Sequence, residues 1–312
     1  MKIHPILFIA AGTRQHTPAL QRAFDLARTA EVPVHVGVVV HDALLDRSDP
    51  FVDQAVSELA RRQLIAEQQA WIDELCARWR HDGLVATGSA VWGRVAHEAI
   101  LEMAAVTGAG LIVKDAGHEP LLRRITYTAL DWKLLRRSPV PLMLVDGRST
   151  HLPRRILAAV DTMPGTADPE ALNALILREA LKHADLADAE LHVAHVFPYQ
   201  LAYGAPGVYR ALERIYAETR AADLEAFRAF ADAHQVPGTC RHWLEGNTVH
   251  RLAELVRENG VDLLVLGSSY HSALDRLLVG STAETMLYQA PCDVLLVKPE
   301  PVVARFPEQR AA

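Results

Sequence analysis

The chain has 312 residues and a mass of 34.4 kDa, which is long for one domain and enough for two domains with separate apolar cores. Its formal charge of −6 argues against a nucleic-acid-binding protein, because such proteins present a basic face. The three cysteines lack paired spacing, which indicates a reducing, cytoplasmic compartment, and no apolar run approaches the roughly 20 residues that span a bilayer.

In chain order, the predicted elements of the first half return in the second half. "HPILFIAAG" (4–12) matches "RRILAAVDT" (154–162), and "VHVGVVV" (34–40) matches "LHVAHVF" (191–197). "LIVKDAGHEPLLRRITYTALDWKLLRRSPVPLMLV" from the first half then aligns without a gap on "LLVLGSSYHSALDRLLVGSTAETMLYQAPCDVLLV" from the second. The simplest account is two copies of one domain. We predict domains at 1–149 and 152–300, followed by a tail at 301–312.

In the second copy, five apolar runs alternate with four helical patterns. Strands that are apolar almost throughout are typical of a parallel sheet covered on both faces, and the alternation requires right-handed crossovers. The predicted fold class is therefore α/β, with a doubly wound parallel sheet in each copy. The strands are "RILAAVD", "ELHVAHVF", "GTCRHWLEG", "VDLLVLG" and "CDVLLVKP", and the helices span roughly 168–187, 207–234, 247–259 and 281–289.

The candidate site lies where the first and fourth strands of the second copy end. Asp161 follows the first strand and Gly267 closes the fourth, so both are expected at one crevice beyond the carboxyl ends of the strands. The fourth strand leads into "GSSYHSALDRLLVGSTAE" (267–284). Gly280 and Ser281 then begin a helix, whose main-chain N–H groups suit an anion.

A purely structural role explains the same residues. "STAE" (281–284) is also a capping box, in which the hydroxyl of Ser281 and the carboxylate of Glu284 satisfy main-chain N–H groups of the first turn. The first copy has "TALD" (128–131) at this place. Spacing alone therefore leaves both a phosphate loop and a simple helix start open.

The loop and the closing "APCDVLLVKP" resemble the universal stress protein family. Its nucleotide-binding members carry a glycine, two residues, a second glycine, nine residues and then Gly-Ser or Gly-Thr. This chain has Gly267, Gly280 and Ser281 at matching positions, but Tyr270 replaces the second glycine. A bulky side chain there could open the loop or fill the phosphate position, so nucleotide binding stays an open question.

The resemblance implies a fold of the adenine nucleotide alpha hydrolase type, with the last strands of the copies pairing antiparallel as a pseudo-two-fold internal dimer. A further homodimer is compatible with it. It also implies a stress-response binding or regulatory protein, with ATP or another adenine nucleotide bound in the second copy only. The residues implied to hold the ligand are Asp161, Val196, Gly267, Tyr270, Gly280, Ser281 and Thr282.

Two alternatives stay open: a module for a protein partner or an apolar ligand with a vestigial nucleotide loop, and a weak ATPase. The segments 197–218 and 41–54 could line an apolar groove. No catalytic motif is present, so an enzyme is the less favoured interpretation.

A metal site is also less favoured, although zinc or magnesium is not excluded. His192 and His195 lie three apart on one strand and so point to opposite faces. In the first copy, Ala11 replaces the aspartate and Asp115 replaces the first glycine, so we expect no nucleotide there.

Overall fold

The computed structural model describes residues 4–45, 54–117, 128–163, 169–198, 206–268, 286 and 290–299. The chain divides into two compact units, Met1–Leu152 and Pro153–Ala312. In the described ranges, no helix combines the length and the apolarity that a bilayer crossing requires.

The first unit is a five-stranded parallel sheet with helices between the strands. The strands lie in the order β3-β2-β1-β4-β5, so the order reverses between β1 and β4. Its elements are β1 (Ile6–Ile9), α1 (Pro18–Thr29), β2 (Val34–Val40), α2 (Gln54–His81), β3 (Ala86–Trp92), α3 (Ala96–Thr107), β4 (Leu111–Asp115), α4 (Ala129–Arg137) and β5 (Leu142–Val145).

The second unit repeats this architecture. Its parallel strands lie in the order β8-β7-β6-β9-β10, with the same reversal between β6 and β9. Its elements are β6 (Arg155–Ala159), α5 (Pro169–Ala187), β7 (Glu190–Phe197), α6 (Pro206–Ala233), β8 (Arg241–Glu245), α7 (Thr248–Glu258), β9 (Leu263–Gly267) and β10 (Asp293–Val297).

Burial of the strands explains the apolar runs in the sequence. All residues of β5 and β10 are buried, as are the first four of β9, because helices cover both faces of each sheet. The helix ends follow local chemistry: the hydroxyl of Thr17 accepts the N–H of Leu20 at the start of α1, and Gly108 ends α3 at a φ of 65°. The predicted α/β class with parallel sheets is confirmed.

The predicted elements of the second copy that lie in the described ranges agree with the observed ones to within two residues, apart from the start of one strand. The sequence predicts a strand from Gly238, whereas Gly238–Cys240 form a single 3-10 turn before β8. The N–H of Cys240 donates to the carbonyl of Pro237, which closes this turn. The helix predicted at 281–289 lies outside the described residues, except for Met286.

Candidate functional site

The carboxyl edge of the second sheet places Asp161 near Gly267. Strands β6 and β9 pair with Ala158 opposite Val265, and continuing this register brings Val160 level with Gly267. Asp161 follows directly and is exposed. The crevice predicted at the strand reversal therefore has these two residues on its border.

A buried asparagine on α5 fixes the chain around Asp161. The side chain of Asn173 accepts the N–H of Asp161 at 3.0 Å and donates to its carbonyl at 2.6 Å. The carboxylate of Asp161 accepts the N–H of Met163 at 3.1 Å through Oδ1. This turn holds Asp161 at the exposed end of the first strand, and Thr162 follows it with a buried hydroxyl. That buried hydroxyl has no hydrogen-bond partner among the described residues.

The main chain of Val196 extends this edge. The carbonyl of Ala194 accepts the N–H of Val160 at 2.9 Å, so the main chain of Ala194 faces β6. Alternate residues of a parallel strand direct their main-chain groups to the same neighbour, so Val196 also faces the β6 side. Because β6 ends at Ala159, the N–H and carbonyl of Val196 lie beyond the last residue of that strand.

The glycine at the end of β9 packs tightly against α5. A Cβ built on Gly267 would lie 2.7 Å from Ile176 Cδ1 and 2.8 Å from Leu172 Cδ1, both on α5. These distances are shorter than any ordinary carbon contact. The sequence assigned Gly267 to close approach of a ligand, whereas the structure gives it the additional role of admitting α5 against the sheet.

The other predicted ligand residues lie outside the described part of the chain: Tyr270, Gly280, Ser281 and Thr282. Part of each of the two segments considered for an apolar groove also lies outside the described ranges. Their predicted roles stay predictions.

Lys298 is a residue of this edge that the sequence did not single out. It follows β10, one position beyond Val297, which pairs with Gly267. Its Nζ is buried without a hydrogen-bond partner among the described residues, and burial lowers the pKa of Lys298 to about 7. A single lysine after the last strand carries no sequence signal of its burial.

A buried polar cluster supports the loop that carries Asp161. His195 Nε2 lies 2.9 Å from Oδ1 and 3.0 Å from Oδ2 of Asp223, and Trp243 Nε1 donates to Asp223 Oδ2 at 2.8 Å. On the other side of the ring, His195 Nδ1 accepts the N–H of Thr162 at 3.3 Å. The side chains of His195 and Asp223 are 2% and 0% exposed, so this pair positions the loop and does not reach solvent.

The two histidines of β7 lie on opposite faces of the sheet, as the alternation of side chains along a strand predicts. His192 lies near the amino end of the strand, where its Nδ1 is 2.8 Å from Nε2 of His242 on β8. Burial, and then His192, lowers the pKa of His242, which keeps that ring neutral. His242 therefore lies near the amino end of β8, away from the crevice mouth. The expectation that His192 and His195 point to opposite faces is confirmed.

The corresponding edge of the first unit is occupied by the unit's own charges. Asp115 Oδ1 accepts the N–H of Ala19 in the first turn of α1 at 3.1 Å. Lys114 Nζ pairs with the buried Asp131 at 2.8 Å, and Asp131 also closes a capping box with Thr128. A carboxylate thus stands at the helix start where an anionic ligand would need to approach.

Comparisons with known proteins agree with this architecture. The model of the universal stress protein family matches residues 2–146 and again residues 153–298. Universal stress protein E of Escherichia coli K12 is 22% identical over 303 residues, covering 95% of this chain and 94% of that protein. Universal stress protein A homolog 1 of Coxiella burnetii is 33% identical over 149 residues, or 46% of this chain and 95% of that protein.

A solved structure shows the same organisation over the whole chain. A functionally unknown protein from Pseudomonas aeruginosa PAO1 is 25% identical, with a TM-score of 0.75, and the match covers 97% of this chain and 95% of that chain. The family predicted from the loop and the closing strand is confirmed. The chain belongs to the universal stress protein family and carries two copies of its domain in tandem.

Proposed function

We propose that the second unit binds an adenine nucleotide, ATP in the first instance, at the carboxyl edge of its sheet, and that the protein serves the stress response as a binding or regulatory module. Membership of the universal stress protein family supports the biological role. The groups at the edge support the ligand class.

The observation that carries the proposal is a pair of buried polar atoms without partners at this edge. The hydroxyl of Thr162 and Nζ of Lys298 both lack a hydrogen-bond partner among the described residues. Leaving such groups unsatisfied costs about 1–3 kcal/mol each, and more for a charge, so a ligand rich in acceptor oxygens would recover that free energy. Phosphate groups fit this requirement.

The remaining groups suit the other parts of a nucleotide. The exposed carboxylate of Asp161 can accept hydrogen bonds from ribose hydroxyls, and the main chain of Val196, beyond the end of β6, carries one donor and one acceptor suited to a base. Because Asn173 fixes the main chain at Asp161, part of this arrangement exists before any ligand arrives.

Calorimetric titration of the full chain with ATP tests the proposal. We expect one site per chain, lost in Gly280→Asp because a carboxylate there repels phosphate. The matched control is Thr128→Ser, which changes the counterpart position of the first unit and keeps both the helix cap and the hydroxyl donor to Asp131, so binding should be unaffected. Equally weak binding by the wild type and Gly280→Asp would contradict the proposal.

A variant at Tyr270 extends the same titration. Restoring the glycine of the family pattern with Tyr270→Gly should strengthen ATP binding by about tenfold, or 1.4 kcal/mol, because the loop main chain can then approach the phosphates. Weaker binding by Tyr270→Gly would show that the tyrosine itself contacts the ligand.

A further inference from the structure

A cluster of metal-ligating side chains lies at the amino ends of β7 and β8, the opposite end of the strands from Asp161. Glu190 begins β7, His192 follows two residues later, and Cys240 immediately precedes β8. One ligand atom from each of the three lies within 4.8 Å of the others. We propose that Glu190, His192 and Cys240 form a zinc site that joins the two strands.

The distances between the ligand atoms suit a tetrahedral ion. His192 Nε2 lies 3.3 Å from Glu190 Oε2, and Cys240 Sγ lies 3.8 Å from Glu190 Oε1. Zinc bonds of ~2.1 Å to nitrogen or oxygen and ~2.3 Å to sulfur place tetrahedral neighbours roughly 3.4–3.6 Å apart. These two separations are therefore close to those of tetrahedral ligands, and all three ligand atoms lie within 4.8 Å of one another.

The histidine nitrogen in the cluster faces the glutamate. Nε2 of His192 lies 3.3 Å from Oε2 of Glu190 and has no other partner among the described residues, although the residue is only 6% exposed. Its other nitrogen, Nδ1, lies 2.8 Å from His242 Nε2. A proton on Nδ1, donated to His242, leaves the lone pair of Nε2 free for a metal, which is the usual arrangement of a ligating histidine.

The charges of the cluster suit a divalent ion. Glu190 and the thiolate of Cys240 together supply two negative charges, and zinc binding would release the thiol proton to solvent. Arg155 Nε donates to Glu190 Oε2 at 3.2 Å, which orients the carboxylate from outside the cluster. Mixed sulfur, imidazole and carboxylate ligands favour Zn²⁺ over Mg²⁺ or Ca²⁺.

The cluster has a route for the ion and room for a fourth ligand. Cys240 is 5% exposed, whereas the side chain of Glu190 is 50% exposed. The carboxylate side therefore opens to solvent, and a water molecule completes the coordination from there.

The first unit shows what the same strand positions look like without a metal. His35 corresponds to His192, and its two nitrogens are satisfied by Thr87 Oγ1 at 2.9 Å and Ser89 Oγ at 3.0 Å. In the second unit, the register places Cys240 and His242 at the positions of these hydroxyls. Glu190 stands where the first copy has Pro33. Each hydroxyl partner of the first unit is thus replaced by a metal-ligating residue type.

Titration of the chelator-treated full chain with Co²⁺ tests the site. We expect one Co²⁺ per chain with an intense thiolate-to-cobalt absorption in the near ultraviolet, which Zn²⁺ abolishes by displacement. Cys240→Ser should lose this absorption, and His192→Gln should weaken Co²⁺ binding at least 100-fold. His242→Ala, which removes only the outer partner, should weaken it about 10-fold to 100-fold.

Matched controls separate the site from general effects on folding. His35→Gln alters the corresponding histidine of the first unit, and Cys76→Ala and Cys292→Ala remove the other two buried thiols. All three should retain the absorption. Thermal unfolding with and without Zn²⁺ gives a second readout, in which the metal raises the Tm of the wild type but not of His192→Gln. Absence of the absorption in the wild type, its survival in Cys240→Ser, or its equal loss in His35→Gln would overturn the proposal.

Discussion

At the scale of single residues, the second unit buries several polar groups whose energetic effects differ sharply. Asp223 receives two donors, from His195 and Trp243, in full burial. Lys298 has no partner among the described residues. The satisfied carboxylate of Asp223 supports the fold without contacting a ligand. The burial of Lys298 without a partner costs free energy, which a ligand that pairs with it can recover.

The ionisation of Lys298 predicts a pH dependence of stability. The unfolded chain holds this proton up to a pKa of about 10.4, whereas the folded chain releases it above about 7. Between these values the unfolded state binds more protons, so the free energy of unfolding contributed by this residue rises with pH. Urea unfolding of wild type and Lys298→Met from pH 6 to 10 measures it. The difference should shift in favour of the wild type as pH rises, and a constant difference would contradict the prediction.

Removal of the Asp223 carboxylate is expected to lower the stability of the fold strongly. Asp223→Ala leaves the buried donors of His195 and Trp243 unpaired, so we expect a loss of about 3–5 kcal/mol. Asp232 on the same helix is a matched control, because it pairs with Arg241 at 2.5 Å while its side chain is 69% exposed. Asp232→Ala should cost at most about 1 kcal/mol. Urea unfolding followed by tryptophan fluorescence checks both, and similar losses for the two variants would refute the difference.

At the scale of the elements, the contact between β9 and α5 decides how closely the sheet and the helix pack. Side-chain atoms of Leu172 and Ile176 fill the space that a side chain at Gly267 would need, although the sequence pattern assigns the same glycine to a ligand loop. Stability measurements distinguish the two roles, because packing acts in the absence of any ligand.

Gly267→Ala is therefore expected to destabilise the protein without ligand by about 1–3 kcal/mol, since the side chains of Leu172 and Ile176 must shift to admit the methyl group. Gly238→Ala is the control, because a Cβ at Gly238 meets no atom within 4 Å. That variant should be neutral or stabilising by up to about 1 kcal/mol. Thermal unfolding without nucleotide compares them. Unchanged stability of Gly267→Ala would leave the glycine with a ligand role alone.

The elements and the position of the edge could be predicted from sequence, because buried parallel strands are apolar throughout and end at polar residues such as Asp161. The side-chain contacts that hold this edge in place could not be predicted. Asn173 reaches Asp161 from a helix, and Asp223 reaches His195 across 28 residues. Both contacts depend on how each helix is rotated against the sheet, which spacing does not specify. Cys240 reaches Glu190 only through the register of β7 and β8.

At the scale of the whole molecule, the repeat gives two edges of similar geometry and different chemistry. The second unit presents Asp161 and Lys298, whose Nζ has no hydrogen-bond partner in the part of the chain that the structure describes. The first presents Asp115, while its own lysine, Lys114, is paired with Asp131. Duplication of the domain therefore does not imply duplication of the ligand.

This asymmetry predicts one nucleotide for each chain. Equilibrium dialysis with labelled ATP should give a stoichiometry of one in the wild type and a strongly weakened site in Asp161→Ala. Asp115→Gly should still bind one, because Ala11 lacks the carboxylate of the second copy and Lys114 stays engaged. A stoichiometry of two in the wild type would contradict the predicted division between the units.

The first turns of α5 have a mechanical consequence for the crevice. Asn173 holds the chain after β6 through two hydrogen bonds to Asp161, while Leu172 and Ile176 pack against Gly267 at the end of β9. Both borders of the crevice are thus held by the same helix. A movement of α5 would therefore act on both borders of the crevice at once.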